Sequence, residues 1–167
     1  NFDGARKDEW LNTNVDLSLR VAQTSVGASY LLSNELFRGI YFGGIRQAHG
    51  SFFTRPLSAL ELRGNIGYGH RIARHALVMG RQLDYSFSAT IRPLDRLMLS
   101  ASFSYTRSDD LETGARLFSQ YVYWSRLSLQ VTRELSLRLV SQYNERWKTW
   151  DLDPLVTYRV NAFTMFY

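Results

Sequence analysis

The side chains able to do chemistry are few and loosely spaced. His70 and His75 stand five apart in His70-Arg-Ile-Ala-Arg-His75. A zinc site would want a third ligand nearby and tighter spacing, so two solvated loop histidines are expected. Asp109, Asp110 and Glu112, and separately Asp151 and Asp153, offer the oxygen ligands Ca²⁺ takes, but neither set has EF-hand spacing. There is no Cys, so thiolate sites and disulfides are excluded. No nucleophile elbow, phosphate loop or catalytic triad signature is present. The expectation is a protein without catalytic residues, cofactor or metal. The alternative is a barrel hydrolase, whose Ser and His are present here without a recognisable grouping.

The remaining chemistry is charge. Net charge is +5, and the basic residues are 18 Arg and two Lys. They are spread along the chain rather than clustered in a stripe, which argues against nucleic acid as a partner. Arg20, Arg63, Arg126, Arg138 and Arg159, with Asp84, fall on the polar side of alternating segments. Facing an open lumen, such arginines would favour anions. Paired across it with Asp16, Glu61 and Asp84, they would plug it.

The segments that position these residues alternate with period 2, the pattern of β-strands with one oily and one wet face. In 83–91, Leu83, Tyr85, Phe87, Ala89 and Ile91 oppose Asp84, Ser86, Ser88 and Thr90. In 97–106, Leu97, Leu99, Ala101, Phe103 and Tyr105 oppose Met98, Ser100, Ser102, Ser104 and Thr106. Each run is about as long as a tilted strand needs to cross a bilayer, roughly 9–11 residues. Further strands are expected over 14–23, 36–46, 58–69, 117–131, 135–144 and 155–160, with a ninth starting at 164–167 and residues 24–35 left between strand and loop. No segment has a helical period, and no apolar run approaches the ~18 residues of a membrane helix.

Short connections are expected near 54–57, 92–96, 132–134 and 161–163, and longer ones near 70–80, 107–115 and 145–154. That alternation is the arrangement of outer-membrane barrels. Arg55-Pro-Leu-Ser-Ala-Leu-Glu-Leu62 is echoed by Arg92-Pro-Leu-Asp-Arg-Leu-Met-Leu99 and more loosely by Thr132-Arg-Glu-Leu-Ser-Leu137. The wet face is Ser, Thr, Gln, Asn and Arg with almost no Lys or Glu, unlike a soluble exterior. Tyr105, Tyr121, Tyr123, Trp124, Tyr143, Trp147 and Trp150 gather near strand ends as an interfacial girdle would. The lipid-facing set is Leu83, Tyr85, Phe87, Leu97, Leu99, Phe103, Leu127, Leu129, Leu137 and Leu139. Phe163, Met165 and Tyr167 suit a strand end that barrel-assembly machinery reads, or merely a chain stopping at an aromatic.

The second half carries a resemblance. Asp84-Tyr-Ser-Phe-Ser88, Ile91-Arg-Pro-Leu-Asp-Arg-Leu97, Phe103-Ser-Tyr-Thr106, Leu135-Ser-Leu-Arg-Leu-Val140, Gln142-Tyr-Asn144 and Asp151-Leu-Asp-Pro-Leu-Val-Thr-Tyr-Arg-Val-Asn161, running into Phe163-Thr-Met-Phe-Tyr167, form one set. This set resembles the C-terminal barrel region of large bacterial outer-membrane proteins with a carbohydrate-binding family 9-like domain followed by DUF5916. Residues 1–80 match in style only, and no carbohydrate-binding-like stretch is read within 1–167, so sugar binding is not carried over. The resemblance implies a barrel but transfers no activity.

The expectation is an all-β, antiparallel transmembrane β-barrel of about eight strands plus the start of a ninth, alone or within a larger barrel. Residues 1–167 would be one barrel domain or a C-terminal barrel fragment, with 1–11 a polar N-terminal segment. The chain is polar from Asn1, so an exported protein would be a processed or partial chain. The expected location is the outer membrane of a Gram-negative-type bacterium, and the expected partners are the bilayer, other subunits or the rest of a larger barrel. The expected role is an anchor or scaffold of a larger assembly. The alternatives are a porin-like conduit with an anion-leaning, Arg-lined lumen, and a soluble β-barrel binding protein.

Overall fold

The alternating segments pair each with the next in sequence, giving one antiparallel meander. In the computed structural model, which describes residues 9–159 and the backbone of 165–166, the order is β1 (Glu9–Leu19), β2 (Thr24–Phe37), β3 (Ile40–Leu57), β4 (Leu60–Ala73) and β5 (Val78–Leu94). It continues with β6 (Leu97–Asp110), β7 (Arg116–Gln130), β8 (Leu135–Asn144), β9 (Thr149–Arg159) and the two-residue β10 (Met165–Phe166). All ten belong to one sheet in sequence order, with β1 and β10 at its edges, so the sheet is open. The one helical element among the described residues is a 3₁₀ turn, Val21–Gln23. Residues 160–164 and 167, including Phe163 and Tyr167 of the expected strand ending, lie outside the described residues, as do 1–8 of the expected polar segment.

Several expectations are corrected, and the open one over 24–35 is resolved. A strand over 36–46 runs through a hairpin: β2 stops at Phe37 and β3 starts at Ile40. Arg38 and Gly39 between them have φ of 50° and 80°, the double positive φ of a tight two-residue turn. Residues 24–35 belong to β2. The first strand spans 9–19 rather than 14–23, ending where Ala22 and Gln23 turn with positive φ. The strands also run further than the alternation suggested. The connections at 74–77, 111–115 and 145–148 are only four or five residues, the 38–39 hairpin at the same end is two, and those at the other end run from two to four, so long loops do not segregate to one end. The count is nine full strands and a short tenth.

The repeated Arg-Pro-Leu explains itself structurally. In β3–β4 the pairing jumps from Thr54–Leu62 to Leu57–Leu60, and in β5–β6 from Ile91–Leu99 to Leu94–Leu97. The same offset occurs twice because Pro56 and Pro93 have no N–H for the ladder and sit where it is interrupted. The copy at 132–137 lacks the proline and instead forms the 131–134 turn, where Thr132 Oγ1 accepts from the amides of Glu134 and Leu135.

A sheet without a second layer has almost no core. Among the described residues the buried hydrophobics are Phe42, Ile45 and Ile72, with Phe37 and Met79 packed against them. The accessible surface is 12363 Å², whereas a compact monomer of 19.4 kDa exposes roughly 8500 Å². Large hydrophobic side chains such as Tyr123, Leu127 and Trp150 are left exposed.

Candidate functional site

The functional surface is the sheet's apolar face, and cross-strand register builds it residue by residue. Phe87, Phe103, Tyr123, Tyr143 and Trp150 stand directly opposite one another across β5 to β9. One step up, Tyr85, Tyr105 and Tyr121 form a second row. The rings touch as a band: centroids are 5.2 Å apart for Tyr85–Tyr105, 4.8 Å for Phe103–Tyr123, 5.8 Å for Tyr121–Tyr143 and 5.1 Å for Tyr143–Trp150. The band continues to β3 across Gly64, where the Phe52 ring occupies the space a Cβ would need and lies 6.4 Å from Phe87.

Below the aromatics lies a row of small side chains, Ala89, Ala101, Ser125 and Ser141, and then Ile91, Leu99, Leu127 and Leu139. The small row opens a shallow apolar groove of about 760 Å³. The Ser125 and Ser141 hydroxyls are 2.7 Å apart and satisfy each other. Many members of this face are exposed, including Phe87, Leu99, Tyr123, Leu127, Leu137, Leu139 and Trp150. The nine residues from Leu97 to Tyr105, at roughly 3.3 Å each and a tilt of roughly 40°, would cover about 23 Å, against ~25 Å for a barrel's apolar band.

Charge marks both limits of the band. Above Tyr105 on the same strand come Arg107 and Asp109, whose side chains pair at 2.9 Å, with Arg116 at 3.9 Å from Asp109. Asp110 then caps the 111–115 loop by accepting from the amides of Glu112 and Thr113, and the Thr113 bond holds its carboxyl below the ordinary carboxylate range. Below Leu97 lie the arginine-bearing turns.

The opposite face is polar. One row reads Asp16, Gly27, Ser51, Asn65, Ser86, Ser104, and the next Asn14, Ser29, His49, Gly67, Asp84, Thr106, Gln120. Towards the 74–77 and 145–148 loops this side forms a trough of about 1130 Å³, reaching from Leu31 and Gln47 to Gln120 and Glu145. The sheet is therefore curled enough for β2, β3, β7 and the 145–148 loop to line one cavity.

Register puts Arg63, Asp84, Arg126 and Arg138 on the polar face, as expected, but their partners are local. Arg63 pairs with Glu61 at 2.9 Å on its own strand and lies over the Phe53 ring. Arg138 meets Asp153 at 3.5 Å on the next strand, Arg126 donates to Ser128, and Asp84 accepts from Gln82. Arg20 is corrected: it precedes the 3₁₀ turn rather than lining a strand, and Arg159 closes β9. Trp124 is corrected too, since it shares a face with Ser102 and Gln142, opposite to Tyr123. Trp147 lies in the 145–148 loop, and Tyr105, Tyr121 and Tyr123 sit within long strands rather than at their ends. Leu83, Tyr85, Phe87, Leu97, Leu99, Phe103, Leu127, Leu129, Leu137 and Leu139 share one face.

His70 and His75 do not converge. His70 Nδ1 lies 3.2 Å from the Gly44 carbonyl and His75 is in the 74–77 turn. No three potential metal ligands gather among the described residues. One polar grouping lies too far apart in sequence to be seen there: His49 and Asp84 both lean over Gly67, with Ser29 opposite His49. His49 Nε2 lies 3.4 Å from Gln47 Oε1, and among the described residues no serine hydroxyl bonds the ring.

No protein-family model, curated protein or solved structure matches the chain.

Proposed function

We propose that this chain forms wall of a transmembrane β-barrel in a bacterial outer membrane and serves there as anchor or scaffold of a larger assembly. The observation that carries the reading is the apolar band: a continuous exposed face, nine residues long on β6, aromatic along its upper part and bordered by charged residues at both limits. In lipid each open edge must be paired, so β1 and β10 close on each other or on further strands of the same barrel. The resemblance of residues 81–167 to the barrel region of DUF5916-containing outer-membrane proteins supports the same reading.

The polar face favours a scaffold over an anion conduit. Arg63 and Arg138 spend their charge on Glu61 and Asp153. The trough beside it is roomy enough for the conduit to stand as a second reading, and channel recordings in planar bilayers decide between them. A scaffold gives no current above background, and a conduit gives steps with anion preference. No catalysis is assigned, because His49 lacks a bonded nucleophile.

The membrane reading is tested by fractionation. The chain should stay with membranes through alkaline carbonate and leave only with detergent. Release without detergent would return it to the soluble β-barrel class.

A further inference from the structure

The trough on the polar face is apolar where that face should be wet, and two strand irregularities make it so. At β6–β7 the pairing steps from Ser108–Phe118 to Asp109–Arg116, which leaves Leu117 as an extra residue. Such a bulge re-aims side chains, and the consecutive Leu117 and Phe118 both line the trough. At β2–β3 the register shifts after Ser33–Ile45, and Ile45 lines it too. Among the described residues Phe42, Ile45, Ile72, Gln82 and Ser108 are the buried ones other than glycine, and all but Phe42 line this trough. It is the most enclosed part of the chain, yet Phe118 on its wall remains 44% exposed.

Charge enters from two sides. Arg71 stands opposite Gly80, on the same face as Gln82 two residues along β5. Arg146 and Lys148 come from the 145–148 loop. The two carboxylates of the lining are already engaged: Glu35 pairs with Arg74 at 3.1 Å, and Glu145 accepts from the Tyr121 amide at 3.0 Å. Among the described residues Arg71, Arg146 and Lys148 form no ion pair. Other cations of the sheet lack ion pairs as well. What sets these three apart is their place around a concavity with exposed apolar side chains.

We infer that the trough binds an amphipathic organic anion, an aryl or alkyl carboxylate whose apolar body rests on Leu31, Leu117 and Phe118 and whose charge meets Arg71, Arg146 and Lys148. An apolar lining with a few convergent polar groups gives a small-molecule site both affinity and orientation, and guanidinium and ammonium groups bond carboxylates strongly. A simple anion would leave Phe118 uncovered, and an uncharged ligand would leave the three cations without a partner. The trough lies on the polar face, so the inference does not rest on the membrane reading.

The probe is 4-phenylbutyrate, with 4-phenylbutyramide as its uncharged counterpart and acetate as the anion without a body. Titration calorimetry uses the full chain in phosphatidylcholine vesicles, or in buffer should fractionation release it without detergent. Phenylbutyrate should bind about tenfold tighter than the amide or acetate, the worth of one charge-assisted bond or one small apolar body. R71Q/R146Q/K148Q should remove that margin over the amide, while the turn-end control R92Q/R96Q keeps it. A second readout needs no variant to fold. The chain has two lysines, Lys7 and Lys148, so phenylbutyrate should slow acetylation of Lys148 by acetic anhydride and leave Lys7 unchanged. Equal affinity for acid and amide, equal loss in both variants, or an unprotected Lys148 overturns the site. Acetate binding as tightly as phenylbutyrate would mean a site for simple anions and overturn the amphipathic assignment.

Discussion

Leu127 and Ser128 are neighbours on β7 with the same backbone and the same two flanking strands, yet they belong to opposite faces of the sheet. Leu127 stands in a row with Leu99 and Leu139 on the apolar face, and Ser128 in a row with Met98 and Arg138 on the polar one. In a soluble sandwich the apolar row would be buried under a second sheet. Here that row is the exposed one, and the described chain has no layer to cover it. What a face is for is thus decided by what it meets outside the chain.

The strongest way to break this comparison is to put one charge on each side. Leu127→Arg should destabilise the membrane-inserted protein by about 2–4 kcal/mol, and Ser128→Arg by less than about 1 kcal/mol. Both are read from urea titrations in vesicles, and equal effects would erase the distinction between faces. Next in size is the aromatic band's passage over Gly64. Gly64→Leu evicts the Phe52 ring and should lower stability by roughly 1–3 kcal/mol in the same titration. Smaller again is the coupling between Tyr143 and Trp150, about 0.5–1.5 kcal/mol in a double-mutant cycle.

The smallest effect lies beyond the band, in the 111–115 loop. Because the folded state holds the Asp110 carboxyl lower than the unfolded chain does, its support of the loop is complete above the ordinary carboxylate range. That support is lost only as pH falls through the lowered value. Loop protection factors, with the intrinsic pH dependence of exchange divided out, should hold from neutral pH down to the ordinary carboxylate range and fall from there as pH drops through the lowered value. Asp110→Ala should raise exchange at neutral pH.

Much of this was legible in the sequence because β-pattern and face share one period. The 135–144 strand appears with its bounds unchanged, and the members of the apolar face were assigned from alternation alone. Turn chemistry hid more. Phe37-Arg-Gly-Ile40 reads as apolar alternation with a glycine in it, and only the positive φ at Arg38 makes it a hairpin. Polar stretches such as 107–110 read as loops, although cross-strand partners carry them as strand. Trp124 was misplaced because an aromatic near others suggests a cluster, while its even number puts it on the other face. The approach of His49 and Asp84 over Gly67 could not be read at all, since it depends on the register of three strands.

The central claim is that one face of the sheet meets lipid and the other water. The chain has no Cys, so single cysteines can be placed along β6 at 98 through 103, spin-labelled and refolded into vesicles. The account predicts that labels at 99, 101 and 103 are reached by oxygen from the lipid phase, and those at 98, 100 and 102 by a water-soluble nickel chelate, in strict alternation. Chelate access to both sets alike would contradict it.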